Sequence, residues 1–149
     1  MSNAKGIKMK RVKLKYSVAK TSSKLCPSIF EKMCVLLADE NYEAPIFLAK
    51  TSDEFSIVMP SSKLKAMYHS NLEMFEIDDD WACHMVLGPM PFDLVGIMAT
   101  LSKILADASI SLLAQSTYNT DYILVKTENE ESAINALIAA GVDFVDQSS

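Results

Sequence analysis

The residues of this 149-residue chain that could do chemistry are few, and their spacing excludes the common catalytic and metal sites. A serine or cysteine nucleophile needs a base, and the only histidines are His69 and His84. His84 follows Cys83 in a predicted strand, so their side chains point to opposite faces, and we favour a structural role for His84. No Cys-x-x-Cys, His-x-x-x-His or phosphate-binding glycine pattern occurs. We therefore predict no catalytic residue, no metal and no cofactor, and an enzyme is the least favoured function.

One segment, residues 88–97, has the composition of a binding site rather than of a reactive one. It leads from a predicted strand into a predicted helix, whose first amides are free donors that attract a carboxylate. Asp93 can accept a hydrogen bond from an ammonium group, and Gly96 has no side chain to keep a ligand away. Such a segment could hold a small zwitterion. The spacing alone favours the alternative, in which Asp93 is only an N-cap and Gly96 only a packing glycine.

Hydrophobic periodicity in the second half of the chain predicts the elements around this segment. Thr127 and Glu130 indicate a capping box at the start of the last helix, and Gly141 indicates its end. The predicted strands are 81–87, 110–116, 122–126 and 142–145, and the predicted helices are 92–108 and 127–140. This strand, helix, strand, strand, helix, strand order predicts an α+β fold of the ferredoxin-like βαββαβ type.

The first half repeats the same order less clearly. Its predicted strands are 11–19, 45–51, 55–59 and 74–77, and its predicted helices are 27–38 and 61–70. A shift of 67 residues superimposes the run 54–58 on 121–125, which indicates a tandem duplication. We place the two units at residues 9–78 and 79–149, with the acidic run 78–80 as their junction or as a solvated turn. Residues 1–8 are left out of this prediction because part of them could be a cloning scar.

Composition and charge narrow the class of partner. The chain is 50% hydrophobic and 22% charged, as in ordinary globular proteins. Residues 1–24 carry eight cations and no acid, whereas the rest carries six cations and 19 acids, so the body of the protein repels nucleic acid. In residues 11–18 the cations alternate with apolar residues, which predicts a solvated edge strand rather than a nucleic-acid-binding tail.

The cellular compartment can be predicted from the three scattered cysteines and from the lack of a long apolar run. The cysteines fit neither a disulfide framework nor a four-ligand zinc site. No apolar run approaches the roughly 20 residues of a membrane helix, and no signal-peptide pattern follows the basic start. We therefore expect a cytoplasmic protein that binds neither membrane nor nucleic acid.

Three runs in this sequence resemble the tandem ACT-domain family, which includes small bacterial ACT proteins and the CASTOR amino-acid sensors. They are Gly88-Pro89-Met90-Pro91-Phe92-Asp93-Leu94-Val95-Gly96-Ile97, residues 110–125 (ISLLAQSTYNTDYILV) and residues 51–58 (TSDEFSIV). The resemblance covers roughly residues 12–145 and is weakest over 61–80. Pro91 and Asn119 depart from the family pattern, which usually has a polar or acidic residue and an aspartate there; both departures bear on the identity of the ligand.

The resemblance implies a regulatory, allosteric module that binds a free amino acid, and pairing of such units implies a homodimer. By position, the start of the second-half helix would hold the ligand backbone and the facing hairpin would line the site. These residues are Phe92, Asp93, Leu94, Val95, Gly96 and Ile97 at the helix start, and Ser116, Thr117, Asn119 and Asp121 in the hairpin. Tyr118 and Tyr122 either line the site or pack on the sheet. The alternative function is a structural or oligomerisation protein that has no ligand.

Overall fold

The computed structural model of the protein describes residues 4–22, 24, 27–87 and 95–145. Two short 3₁₀ helices, Leu72–Met74 and Thr127–Asn129, accompany the main elements. None of the helices in the described ranges has the length and apolar character needed to cross a lipid bilayer. The main elements are β1 (Lys8–Ser22), α1 (Pro27–Leu37), β2 (Phe47–Lys50), β3 (Glu54–Pro60), α2 (Ser61–Tyr68), β4 (Glu76–Val86), α3 (Ile97–Asp107), β5 (Leu113–Ser116), β6 (Asp121–Lys126), α4 (Glu130–Ala139) and β7 (Asp143–Phe144).

The chain divides into two compact units. The first unit is Leu14–Asp79, and the second unit combines the described residues of Met1–Lys13 with those of Asp80–Ser149. Each unit has the βαββαβ order, so the predicted α+β, ferredoxin-like fold with two repeated units is confirmed. The repeat boundaries 9–78 and 79–149 stay a prediction.

The first unit has strands in the order β2-β3-β1-β4, with β3 antiparallel to both β1 and β2. Its helices α1 and α2 have apolar residues at helical spacing, and these residues pack on β3. The core of this unit includes Ile29, Met33 and Leu36 of α1, Leu64 and Tyr68 of α2, and Phe55, Ile57 and Met59 of β3.

The second unit has strands in the order β5-β6-β4-β1-β7. β6 is antiparallel to β4 and β5, whereas β7 is parallel to β1, so the sheet of this unit is mixed. The N-terminal part of the chain belongs to its core, because Ala4, Ile7 and Met9 are buried there with α3 and α4. Residues 1–8 were therefore wrongly left out of the fold prediction. They contain only two core residues, Ala4 and Ile7, which are too few to produce a periodic pattern in the sequence.

The acidic run 78–80 lies within β4, so the solvated turn is wrong, whereas the two compact units divide inside this run, between Asp79 and Asp80. Asp79 accepts a hydrogen bond from Ser17 Oγ and forms a 2.8 Å ion pair with Lys65. Asp80 has a φ of 64°, a left-handed conformation that Asp adopts more readily than most residues. Aspartate is depleted from strands, so the composition of this run predicts a turn. The partners from β1 and α2 let it form strand instead.

The two hairpins fix the register of the repeat. The last pair before the turn is Lys50↔Phe55 in the first unit and Ser116↔Asp121 in the second, which gives a shift of 66 residues. The predicted shift of 67 is therefore wrong by one, and a one-residue shift exchanges the two faces of a strand. The central residues of β3 and β6 are buried on both faces, so their sequences lack the alternation that would set the register.

One of the two predicted signals at the ends of α4 is confirmed. Gly141 has a φ of 108° and donates to Ile138 O at 3.0 Å, while Val142 N donates to Leu137 O at 3.0 Å, which is a Schellman stop. The capping box of Thr127 and Glu130 does not form, since no side chain caps α4. The Glu130 carboxylate instead binds Arg11.

Candidate functional site

The helix start predicted as the ligand backbone site is described from Val95 onward. Phe92, Asp93 and Leu94 lie outside the described residues. Val95 is 90% exposed, whereas Ile97 is buried in the core of the second unit, so Ile97 can offer a ligand only its backbone. No side-chain cap is bonded to the start of α3, and the first helical hydrogen bond runs from Thr100 N to Gly96 O at 2.9 Å. The helix start is therefore uncapped in the described part of the chain.

Gly96 precedes α3 in a conformation that favours glycine. Its φ is +82°, and a Cβ placed on it would meet no atom of the described chain within 4 Å. The backbone conformation, and not crowding, is the reason for glycine here. The described residues therefore give no support to the packing role considered for Gly96, and they leave open space beside its backbone.

The predicted hairpin residues form a closed turn between β5 and β6. Thr117 N donates to Thr120 O at 2.8 Å, and the Thr117 hydroxyl accepts a hydrogen bond from Thr120 N at 3.2 Å. Ser116 Oγ donates to Asp121 Oδ1 at 2.6 Å. Asn119 is exposed at the tip of the turn. The four predicted residues are thus brought together, with Thr117 committed to the turn and Ser116, Asn119 and Asp121 on its surface.

Thr120, which the sequence analysis did not select, fastens this turn to β4. It is 4% exposed, and its hydroxyl donates to the carbonyl oxygen of Val86, the last residue of β4. The turn therefore lies beside the point where the chain leaves β4 toward α3. Val86 also shares a core cluster with Ile97. The helix start and the hairpin thus belong to one end of the second unit, and a threonine among turn residues gave no signal of this role.

The two tyrosines of the hairpin differ. Tyr118 is fully exposed at the turn, which rules out sheet packing for it. Tyr122 is 9% exposed and pairs with Met85 across the sheet. This burial in the sheet makes Tyr122 a sheet-packing residue, and it also raises the pKa of its hydroxyl.

His84 is buried beside the partly exposed ion pair of Glu130 and Arg11. It is 2% exposed, its Nε2 lies 3.3 Å from Glu130 Oε1, and the described residues give neither ring nitrogen a hydrogen bond. Arg11 holds Glu130 with two guanidinium nitrogens, one of them at 3.2 Å, and this raises the pKa of Arg11. Burial lowers the pKa of His84, and Arg11 adds to this, while Glu130 opposes it. These positions fit the structural role favoured for His84.

Two buried nucleophilic groups, Ser17 and Cys83, are part of the packed interior. Ser17 is fully buried, and its hydroxyl bonds Ser61 Oγ at 2.7 Å and Asp79. Burial raises the pKa of the Cys83 thiol to about 12, which keeps it protonated. Within the described ranges, no three His, Cys, Asp or Glu side chains are placed to hold a metal ion.

The first unit has a hairpin turn like that of the second unit, and acidic residues line a cleft beside it. Thr51 N donates to Glu54 O at 2.9 Å, as Thr117 does to Thr120. A cleft of about 410 Å³ opens beside this turn. Among the described residues that line the cleft, the only cation is Lys20, which forms a 2.9 Å ion pair with Glu76. The acidic residues of its lining are Asp53, Glu54, Glu73 and Glu76.

Comparison with known proteins identifies part of the chain. A family profile described as ACT domain matches residues 76–139. No curated protein sequence matches significantly.

Several solved structures share the fold. Protein Atu0741 from Agobacterium tumefaciens is 24% identical, covers 93% of this chain and 92% of its own, and has a TM-score of 0.73. The aspartokinase alpha and beta subunits are 17% identical, with coverages of 89% and 95% and a TM-score of 0.63. The ligand-free regulatory subunit of aspartate kinase from Thermus thermophilus is 12% identical, with coverages of 85% and 93% and a TM-score of 0.61.

Proposed function

We propose that this chain, whose residues 76–139 are an ACT domain, is a non-catalytic regulatory module that binds a free amino acid. ACT domains typically bind small ligands, and the fold resembles that of aspartokinase regulatory subunits. The observation that carries the proposal is the hydrogen bond from Thr120 to Val86, because it holds the hairpin turn beside the connection from β4 to α3.

The chemistry of that end of the second unit suits a zwitterion. The amides at the start of α3, to which no described side chain is bonded, attract the ligand carboxylate, and the described residues leave room for it beside Gly96. Asp93 accepts from the ammonium group. Phe92, Leu94, Val95 and Ile97 contribute the rest of the helix start, and Ser116, Thr117, Asn119 and Asp121 line the facing hairpin.

The charges that line the two units favour the second unit as the one that binds the amino acid. The corresponding cleft of the first unit has four carboxylates and one cation, which is already paired with Glu76. Such a lining repels the carboxylate of a free amino acid and attracts its ammonium group, so it offers a partner for only one end of the zwitterion. We therefore assign one ligand to each chain, and the module acts as a cytoplasmic homodimer.

A protein that only mediates oligomerisation is the second candidate. The exposed apolar residues Phe30, Val35 and Leu37 of α1 favour it, since such residues are usually covered by a partner. This function predicts no effect of amino acids on stability.

A thermal-shift screen of the twenty amino acids separates the two functions. A ligand at 100 times its dissociation constant stabilises the folded protein by about 2.7 kcal/mol, so at least one amino acid should raise the melting temperature. No shift with any amino acid would reject the binding function and leave oligomerisation.

Two matched pairs of variants locate the site by calorimetry. Asp93→Ala should weaken binding by roughly 10- to 150-fold, because a charge-assisted hydrogen bond contributes about 1.5–3 kcal/mol. Its control is Asp107→Ala, at the other end of α3. Gly96→Ala should weaken binding, whereas Gly6→Ala, with a similar φ of +89° and equally open surroundings, should not. Unchanged affinity with a lowered melting temperature in Asp93→Ala would make Asp93 an N-cap and point to Asp121 as the ammonium partner.

A further inference from the structure

The hairpin turns of the two units have the same backbone hydrogen bonds. Thr51 N donates to Glu54 O at 2.9 Å, and Thr117 N donates to Thr120 O at 2.8 Å. In each turn the hydroxyl of the first threonine also accepts from the N–H of the fourth residue, at 3.1 Å in the first unit and 3.2 Å in the second. Both turns therefore begin with threonine, but the fourth residue is Glu54 in one and Thr120 in the other.

Thr120 joins its turn to the neighbouring strand through its side chain. It is buried, and its hydroxyl donates to the carbonyl oxygen of Val86 in β4. Val86 belongs to the same core cluster as Ile97, the first residue of α3. The hydroxyl therefore holds the turn against the end of β4, which shares a core with the start of α3.

Glu54 cannot hold the first turn in this way. A carboxylate has no hydrogen to donate, so it cannot form a hydrogen bond with a backbone carbonyl oxygen. The strand beside this turn is β1, in which Ser22 pairs with Glu54. Glu54 instead lines the acidic cleft of about 410 Å³. The first turn therefore lacks the side-chain bond from its fourth residue to a strand carbonyl that the second turn has.

We propose that Thr120 is the positioning residue of the amino-acid site, and that Glu54 at the corresponding position confines binding to the second unit. This inference rests on the proposed function and names the residue that prepares its site. Thr120 is buried, so it acts through the exposed hairpin residues Ser116, Asn119 and Asp121. A turn that is fixed before binding avoids the free-energy cost of ordering it when the amino acid binds.

An NMR titration of the ¹⁵N-labelled full chain with an equimolar mixture of the twenty amino acids tests this inference. The concentration at which the amide signals of Gly96 and Ile97 are half shifted measures the affinity. Thr120→Val should raise this concentration by roughly 2- to 10-fold, since the net effect of one hydrogen bond corresponds to about that factor. Thr120→Ser keeps the hydroxyl and should restore the wild-type value.

Thr120→Glu places the residue of the first unit in the second turn. It should abolish the saturable shifts of Gly96 and Ile97. Glu54 already occupies this position in a turn with the same backbone bonds, so the variant should fold, and circular dichroism checks this. Thr120→Val provides the same test without a buried charge.

Ser17→Ala is the matched control for lost stability. It removes a fully buried hydroxyl of the first unit, which bonds Ser61 and Asp79. It should lower the melting temperature, as Thr120→Val does, and leave the half-shift concentration unchanged. Without amino acids, ¹⁵N relaxation should show residues 118 and 119 to be more mobile on the ps–ns timescale in Thr120→Val, but not in Thr120→Ser.

The possible results separate this inference from the proposed function. Wild-type affinity or unchanged relaxation in Thr120→Val, wild-type affinity in Thr120→Glu, or no recovery in Thr120→Ser would overturn the role of Thr120 while amino-acid binding stands. Weakened binding in Ser17→Ala would also overturn it, because affinity would then follow stability alone. No saturable shift in the wild type would reject the proposed function, and the inference with it.

Discussion

Burial is the main influence on the ionisation of His84, whose ring lies near Glu130 of α4 and Arg11 of β1 and makes an edge contact with Phe144 of β7. Burial disfavours the imidazolium, and its effect exceeds the attraction of Glu130. The folded protein therefore binds a proton at His84 at lower pH than the unfolded chain does. The resulting stability is present above the unfolded pKa of about 6.5 and is lost as the pH falls through it toward the folded value.

Acidification should therefore destabilise the protein through His84. Urea unfolding of the wild type between pH 7.5 and 5.5 should show stability falling by up to about 1.4 kcal/mol per pH unit from this residue. His84→Gln should reduce this dependence, whereas His69→Gln, which changes an exposed histidine, should retain it. Equal pH dependence in the wild type and His84→Gln would contradict the neutral, buried state of His84.

For single residues, the sequence predicts a structural or catalytic role more readily than it predicts which side chains will be in contact. The structural role of His84 follows from its place in a strand, but the role of Glu130 does not. Glu130 stands three residues after Thr127, which is the local signal of a capping box. Its actual partner, Arg11, is 119 residues away, and only folding brings the two together.

Two helices of the second unit end in the same way with different residues. After α3, Ser109 N donates to Ala106 O at 2.9 Å and Ile110 N to Leu105 O at 2.8 Å, as Gly141 and Val142 do after α4. Ser109 has a φ of 58°, in the region that favours glycine.

Ser109→Gly should therefore stabilise the protein. Relief of about 1–2 kcal/mol of left-handed strain exceeds the roughly 0.5–1 kcal/mol that glycine costs in backbone entropy, so we expect a net gain of about 0.5–1 kcal/mol. Gly141→Ser should destabilise it, since a Cβ there would lie 3.2 Å from Lys5 N. Chemical denaturation of both variants checks this, and a less stable Ser109→Gly would contradict it.

At the element scale, hydrophobic periodicity predicts which strands and helices exist. It predicts neither where β4 begins nor the register that relates β3 to β6. The order of strands and helices follows from apolar spacing in both halves. The solvated turn predicted at residues 78–80 and the shift of 67 are wrong for opposite reasons. The aspartates have a polar composition that tertiary contacts override, and β3 and β6 are so uniformly apolar that neither face is marked.

For the whole molecule, short motifs predict the ACT domain that matches residues 76–139, and element order predicts the fold, but neither predicts that the N-terminal residues pack in the second unit. β1 contributes to both units, with residues before Leu14 in one and those after Lys13 in the other. A strand that serves two units has one continuous sequence, so nothing in that sequence marks the division. The candidate site was predictable as two segments, and Thr120, which holds them at one end of the unit, was not.

The central claim is that an amino acid binds at the helix start and hairpin of the second unit. An NMR titration of the ¹⁵N-labelled protein with the amino acid that raises its melting temperature most tests this directly. The claim predicts that the amide signals of Gly96, Ile97 and residues 116–121 shift, while those of residues 51–54 in the corresponding turn of the first unit stay in place. Shifts confined to residues 51–54, or no saturable shift at Gly96 and Ile97, would contradict it.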